Sequence, residues 1–409
     1  MLRSGERPQA EFAPPFNLAS PEHAADPHPL YHRMREQAPV YRCVHRRSGL
    51  AHWYLTRYAD VQRALLDQEL GRQLDRLPAE LAAWHRQWDF DPLAMLRKNV
   101  FNLDPPDHTR LHRLIAPSFS ARALALTSQR IPELADELID ELAAADGEVD
   151  VITALALPMA IRVIAELMGF PLDSVVRLRW WSHLIRSGDP ARARAAGCEF
   201  IAYFDEVIYP RYAGPGEDLL SRLIQAEQAG QLSHIELIAS VFQLLLAGDE
   251  TTVNLTGNAV VELLRHPGEL ARLRAQPELI GSAVEEAIRF NGPVGHSRYL
   301  YALADVTIGG AEIARGDVVV PVLLAANRDP AVFPDPDAFD ITRSPNRHLG
   351  FGRGSHFCLG AEMARLQARA AIGSLLRRFP GLALAVSPAE LEWKPGLFLH
   401  GMHRVPVLL

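Results

Sequence analysis

Cysteine is scarce in this chain: Cys43, Cys198 and Cys358 stand far apart, with no C-x-x-C spacing. An odd, scattered set argues against a disulfide framework or a structural zinc site. Long apolar runs are missing too, since no stretch of roughly 18 apolar residues occurs and no membrane span is expected. Positive charge is not in excess, because 42 Lys+Arg against 49 Asp+Glu leave −7 and no global basic field for nucleic acid. Residues 1–16 are charged and proline-rich, without the apolar stretch of a signal peptide. Internal repeats, low-complexity linkers and composition breaks are absent as well. What remains is the expectation of a globular, cytoplasmic protein, and 409 residues at 48% hydrophobic and 22% charged suit a folded chain.

The prolines of residues 1–30 read as an extended leader over the surface, ahead of one large domain spanning 31–409. A helix is expected over His28–Gln37. Two β-rich runs, near Pro39–Val44 and Ala51–Thr56, flank the turn signal Arg47-Ser48-Gly49 as a hairpin. From Tyr58 to Pro293 the pattern is mainly helical. The stretch from Leu66 to Asp104 fits no single element; Trp84 and Trp88, four apart, suit either a local packing pair or a substrate-facing role. The fold class is therefore mainly α with a small β region.

One helix is unusually long. Ser233 and Glu236 form a capping box, and the helical pattern runs to His266 before Pro267. Its middle is apolar, as in a buried core helix. Ala247-Gly248-Asp249-Glu250-Thr251-Thr252 then interrupts it with glycine, two carboxylates and two hydroxyls. Glycine weakens a helix, a buried carboxylate needs a partner, and threonine bonding one turn back bends a helix. An acid beside a hydroxyl at such a place suits proton delivery; the plainer reading is two solvated carboxylates where the helix leaves the core.

A second cluster spans Phe351 to Gly360, with a helix expected over Ala361–Arg378. Gly352 and Gly354 permit a tight loop. Cys358 then stands at a helix start, where free N–H groups and the helix dipole favour a thiolate, and Gly360 leaves room for a flat group. A phosphate cradle is excluded because neither G-x-G-x-x-G nor a P-loop is present. A nucleophilic cysteine with His356 as base, or a merely buried cysteine, accounts for too few of the six positions fixed in F-G-x-G-x-H-x-C-x-G.

That loop resembles the haem-ligand signature of the cytochrome P-450 monooxygenases, and A-G-x-E-T-T on the long helix resembles their oxygen-activation motif. Glu286-Ala287-Ile288-Arg289 matches their E-x-x-R, and Ala326 to Pro330, Phe333 to Asp340 and Asn346 to His348 match the runs that follow. The likeness extends from Pro39 to the C-terminus and is to the soluble bacterial branch.

The resemblance implies a single-domain haem-thiolate fold holding heme b (iron protoporphyrin IX), with Cys358 as axial ligand and Phe351, Gly352 and Gly360 around it. His108, His112, Arg298 and His356 would serve the haem propionates, with His296 a further candidate. His112 stands where the family commonly has arginine, so its charge depends on pH. Gly248 would open a groove for dioxygen, while Glu250 and Thr251 would deliver protons. Asp249 replaces a frequent histidine and is expected to be neutralised by a nearby arginine. Glu286, Arg289 and Arg343 would form a structural triad.

Leu244, Ala247, Pro293, Val294 and Phe398 would line a seat for a small apolar substrate such as a polyketide, terpenoid, steroid or fatty acid. The helix pair near Trp180–Phe204, joined at Ser187-Gly188-Asp189-Pro190, would act as a lid. With no room for a fused reductase, electrons from NAD(P)H would arrive through a ferredoxin or flavodoxin and its reductase, docking at Arg110, Arg113 and Arg353. A monomer inserting one atom of O2 is expected. The rivals are a peroxide-driven haem-thiolate hydroxylase, disfavoured by the acid–alcohol pair, and a non-enzymatic haem sensor.

Overall fold

The computed structural model describes residues 16–18, 20–44, 51–80, 82, 95–120, 122–144, 147–185, 189–214 and 216–409. The turn signal 47–49, Trp84, Trp88, Ser187 and Gly188 lie outside the described residues. Helix makes up 58% of the described residues and their strands form three small sheets, the mainly α architecture with a small β region.

Residues 16–25 do not form an extended surface leader. Phe16 and Leu18 are both buried, and the Phe16 ring meets Tyr41 edge-on at 5.2 Å. Pro21–Ala25 is helical, with the Ser20 hydroxyl accepting the His23 N–H at 3.1 Å. Proline fits the first helical turn because the N–H it lacks has no partner there. Counting prolines therefore misreads this segment.

The chain divides into two compact units. One comprises Gln9–Gly71, Ser128–Met159 and Glu250–Leu409. Its five-stranded sheet runs Val40–Val44, Ala51–Leu55, Val318–Pro321, Leu300–Ala302, Leu70–Gly71 in spatial order. The first two strands are the expected hairpin, antiparallel with Val40 opposite Leu55. Leu55, Leu300, Ala302 and Val319 from this sheet pack with Tyr58 and Val61 of the helix Tyr58–Leu66, and with Phe333 and Leu349. Leu349 lies just ahead of the cysteine loop, so this core fixes where that loop begins.

The other unit includes Arg72–Thr127 and Ala160–Asp249. Helices Leu172–Ile185 and Pro190–Ile208 pack together, with Trp181 and Tyr203 rings 5.2 Å apart. Phe200 is fully buried, stacked on Phe204 and edge-on to Phe242 at 5.3 Å. No single helix among the described residues is long and apolar enough to cross a membrane.

The boundary between units falls within one continuous helix, His234–Arg265, between Asp249 and Glu250. At about 1.5 Å per residue it is about 48 Å long. The capping box forms as expected: Ser233 N–H donates to Glu236 at 2.8 Å and Glu236 N–H to the Ser233 hydroxyl at 3.3 Å. Helix continues without a break through Gly248–Thr252.

Candidate active site

The loop before the helix Ala361–Arg378 is folded by its own backbone. Gly352 N–H donates to Leu349 at 2.8 Å, Phe357 N–H to Gly354 at 3.0 Å and Cys358 N–H to Phe351 at 2.9 Å. Gly352 and Gly354 have φ of +72° and +77°, a region open to glycine and costly for other residues. Gly354 also passes so close to the helix Tyr58–Leu66 that a Cβ would lie 3.0 Å from the Leu65 carbonyl oxygen.

Cys358 is exposed at the end of this loop, ahead of the helix Ala361–Arg378. Burial pushes the thiol up from its ordinary value, while the Gly360 N–H and the Arg365 charge work in the opposite direction. A metal ion deprotonates such a thiol outright. No three His, Cys, Asp or Glu side chains among the described residues are grouped to hold a bare ion. A single cysteine with an N–H donor, and open space on the Cβ side of Gly360, fits instead a metal carried in a flat macrocycle. The residues present thus suit haem.

A brace beneath this loop escaped sequence reasoning. Arg365 donates to Glu285 at 2.7 and 2.9 Å and lies over the Phe351 ring at 4.4 Å. His348 Nε2 reaches the same carboxylate at 3.0 Å, and its Nδ1 accepts Gly350 N–H at 3.2 Å. Burial alone would raise the Glu285 carboxyl; His348 and Arg365 outweigh it and hold that group at about 2. The signal that was available is Arg365, seven residues beyond Cys358 and about one turn into the helix Ala361–Arg378.

Glu286, Arg289 and Arg343 meet. Arg289 grips Glu286 at 2.7 and 2.8 Å with both residues fully buried, and Arg343 Nε donates to Glu286 at 3.2 Å. Arg289 also donates to the carbonyls of Asn327, Pro336 and Ala338, and Asn346 Nδ2 completes the shell of Glu286 at 3.1 Å. A charge pair this deep is tolerable because every strong donor is used. It ties the helix Ile280–Asn291 to the run leading into the cysteine loop.

On the long helix, Leu244, Ala247, Gly248 and Thr251 remain accessible, whereas Thr252 to Leu263 are all buried. Spacings of three and four place those accessible residues on one face. Gly248 also lies close to Ile164, whose Cδ1 would be 2.9 Å from a Cβ at that position. Asp249 is buried and paired with Arg179 Nε at 2.5 Å, the expected arginine neutralisation, with His183 Nε2 at 3.6 Å. Glu250 lies 3.5 Å from Lys394 Nζ. Neither carboxylate is simply solvated.

Val294 and Phe398 are brought together by an isolated bridge between Val294 and Leu399 and by the Gly295 N–H donating to Phe398 at 2.9 Å. His108 is buried on the helix Asp107–Ile115, 5.5 Å ring to ring from His112, and burial followed by His112 lowers its pKa. Arg298 is exposed and His356 half-buried. His296 is buried and stacked on Tyr299 at 5.4 Å, and burial lowers its pKa to about 4. Arg110 is bound by Glu236 and by Asp107 at 3.2 Å, which removes it from any free basic patch.

Comparison with known proteins gives a consistent picture. The family model described as "Cytochrome P450" matches residues 210–383. Cytochrome P450 107B1 of Saccharopolyspora erythraea is 43% identical over 390 residues, covering 94% of this chain and 95% of that protein. Cytochrome P450 monooxygenase PikC of Streptomyces venezuelae is 40% identical over 388 residues, with coverages of 94% and 91%. Among solved structures, the myxobacterial cytochrome P450 CYP267B1 in complex with myristic acid superposes with a TM-score of 0.90 at 41% identity, over 96% of this chain and 98% of the other.

Proposed function

The chain belongs to the cytochrome P450 family, and from that premise we propose that Cys358 is the axial thiolate of a haem-dependent monooxygenase acting on a mid-sized apolar compound. The class follows from the relatives, which are bacterial P450 monooxygenases of polyketide and other secondary-metabolite tailoring. Haem, when bound, supplies the activation of O2 and the transfer of one oxygen atom to substrate, by hydroxylation or epoxidation. The observation that carries the residue assignment is the exposed Cys358 at the end of its glycine-built turn, with the Gly360 N–H and the Arg365 charge acting on its sulfur.

The remaining residues take the following tasks in this reading. Cys358 lends electron density to the iron, and Phe351, Gly352 and Gly360 keep its turn rigid. His108, His112, Arg298 and His356 offer donors to the propionates. Thr251 holds a hydroxyl on the accessible face of the long helix, and Glu250 passes protons toward it. Leu244, Ala247, Val294 and Phe398 exclude water and orient the substrate. Arg113 and Arg353 meet a ferredoxin or flavodoxin that brings electrons from NAD(P)H. The protein works as a cytoplasmic monomer.

Titrating the ferric protein with macrolides, terpenoids, steroids and fatty acids tests this reading. A spectrum that turns from low to high spin with one class identifies the substrate family. Haem that responds to no class overturns the apolar substrate assignment, and peroxide-driven turnover at full rate with no need for Glu250 or Thr251 would favour the peroxide-dependent rival.

A further inference from the structure

The chain has forty arginines and only two lysines, Lys98 and Lys394. One of those two lysines stands 3.5 Å from Glu250, the acid assigned to proton delivery. Its ammonium also donates to Asn254 Oδ1 at 3.1 Å. Glu250 and Asn254 are four apart on the long helix, so Lys394 spans one turn of the same helix face. Asn254 is fully buried and its Nδ2 has no hydrogen-bond partner among the described residues.

Lys394 belongs to a short hairpin. Trp393 bridges Met402, the Lys394 N–H donates to Gly401 at 2.8 Å, and Trp393 stacks on His400 at 4.2 Å. This hairpin presses on the helix: a Cβ on Gly401 would come within 2.3 Å of the Asn254 side chain. Phe398, assigned to the substrate seat, lies in the same hairpin, whose Leu399 bridges Val294.

We propose that Lys394 positions Glu250, tethering the acid to the hairpin that carries Phe398. The inference rests on the assignment of Glu250 as the proton-delivering acid. A cation at this distance favours the carboxylate form and fixes which way its oxygens point. Lysine is a compact point charge on a flexible stem, and this one pairs with Glu250 while donating to Asn254. Movement of the hairpin with substrate at Phe398 thereby reaches Glu250 through one ammonium group. Lys394 acts through Glu250 and has no contact with the reacting atoms.

Lysine scarcity makes the test direct. Selective 13C,15N-lysine labelling of the holoenzyme yields two side-chain signals, and K394R identifies which belongs to Lys394. Replacing Glu250→Gln should shift the Lys394 signal and speed its exchange with water, leaving Lys98 unmoved; a Lys394 signal indifferent to E250Q overturns the proposal. With the compound that turns the spectrum high-spin, K394M should lower product formed per NAD(P)H at least threefold and K394R should restore most of it. The double variant E250Q/K394M should be no worse than E250Q. If E250Q uncouples while K394M keeps the parent yield, the tether is wrong and the acid assignment survives. If E250Q itself keeps the parent yield, the acid assignment fails and takes the tether with it.

Discussion

Arg179 Nε donates to Asp249 Oδ2 at 2.5 Å, joining the helix Leu172–Ile185 to the long helix one residue ahead of Glu250. Two adjacent carboxylates thus have different partners, Arg179 for Asp249 and Lys394 for Glu250. Asp249 is structural: it is buried, and its second oxygen has no partner among the described residues. Removing Arg179 strands that charge, so R179M should cost about 3 kcal/mol in urea unfolding, the low end for a broken buried pair because Arg179 keeps some solvent contact. D249N should retain product yield per NAD(P)H, whereas E250Q and T251A should lower it. Equal loss in all three variants would contradict the division of labour.

Acid should unfold this protein earlier than its carboxylates alone would require. Burial lowers the pKa of His23 to about 4 and of His400 to about 3, and holds His28 well below the ordinary 6.5. The native state keeps these imidazoles neutral, whereas the unfolded chain binds protons as pH falls through 6.5. Their contribution is complete above that value and is lost progressively toward pH 3 to 4. Each contributes a slope of up to about 1.4 kcal/mol per pH unit in that window. Urea midpoints should therefore drop between pH 7 and pH 5, and H23N should flatten the drop; a midpoint independent of pH over that range would refute the sign.

Electron transfer should separate three arginines. Arg113 and Arg353 keep solvent contact, while Arg110 is committed to Glu236 and Asp107. R113E and R353E should slow reduction by ferredoxin on the order of tenfold at low salt, with the difference shrinking as salt screens it. R110E should weaken the protein by opposing Glu236 without a comparable effect on docking. Stopped-flow reduction at two ionic strengths distinguishes these outcomes.

Local signals made much of the fold legible. The helix His28–Gln37 and the helix Ala361–Arg378 have the bounds that periodicity and flanking residues imply, and the Ser233–Glu236 box starts the long helix where expected. Asp249's arginine was foreseeable as a need, because a mid-helix buried carboxylate demands a cation, but not as Arg179, 70 positions away. Partners brought together by folding leave no such local trace: Lys394 is 144 residues from Glu250, and Arg365 is 80 from Glu285. The helix Pro21–Ala25 was missed for the opposite reason, since prolines that start a helix and prolines that prevent one are counted alike. The partners of Arg110 were likewise invisible, because composition reveals a charge and not the carboxylate facing it.

The assignment of Cys358 is tested most directly by the absorption spectrum of the reduced, carbon monoxide-bound protein. The parent should show the Soret band characteristic of thiolate-ligated haem, and C358H should bind haem yet lose that band. A parent protein isolated without haem, or a C358H variant with an unchanged thiolate band, would contradict the account.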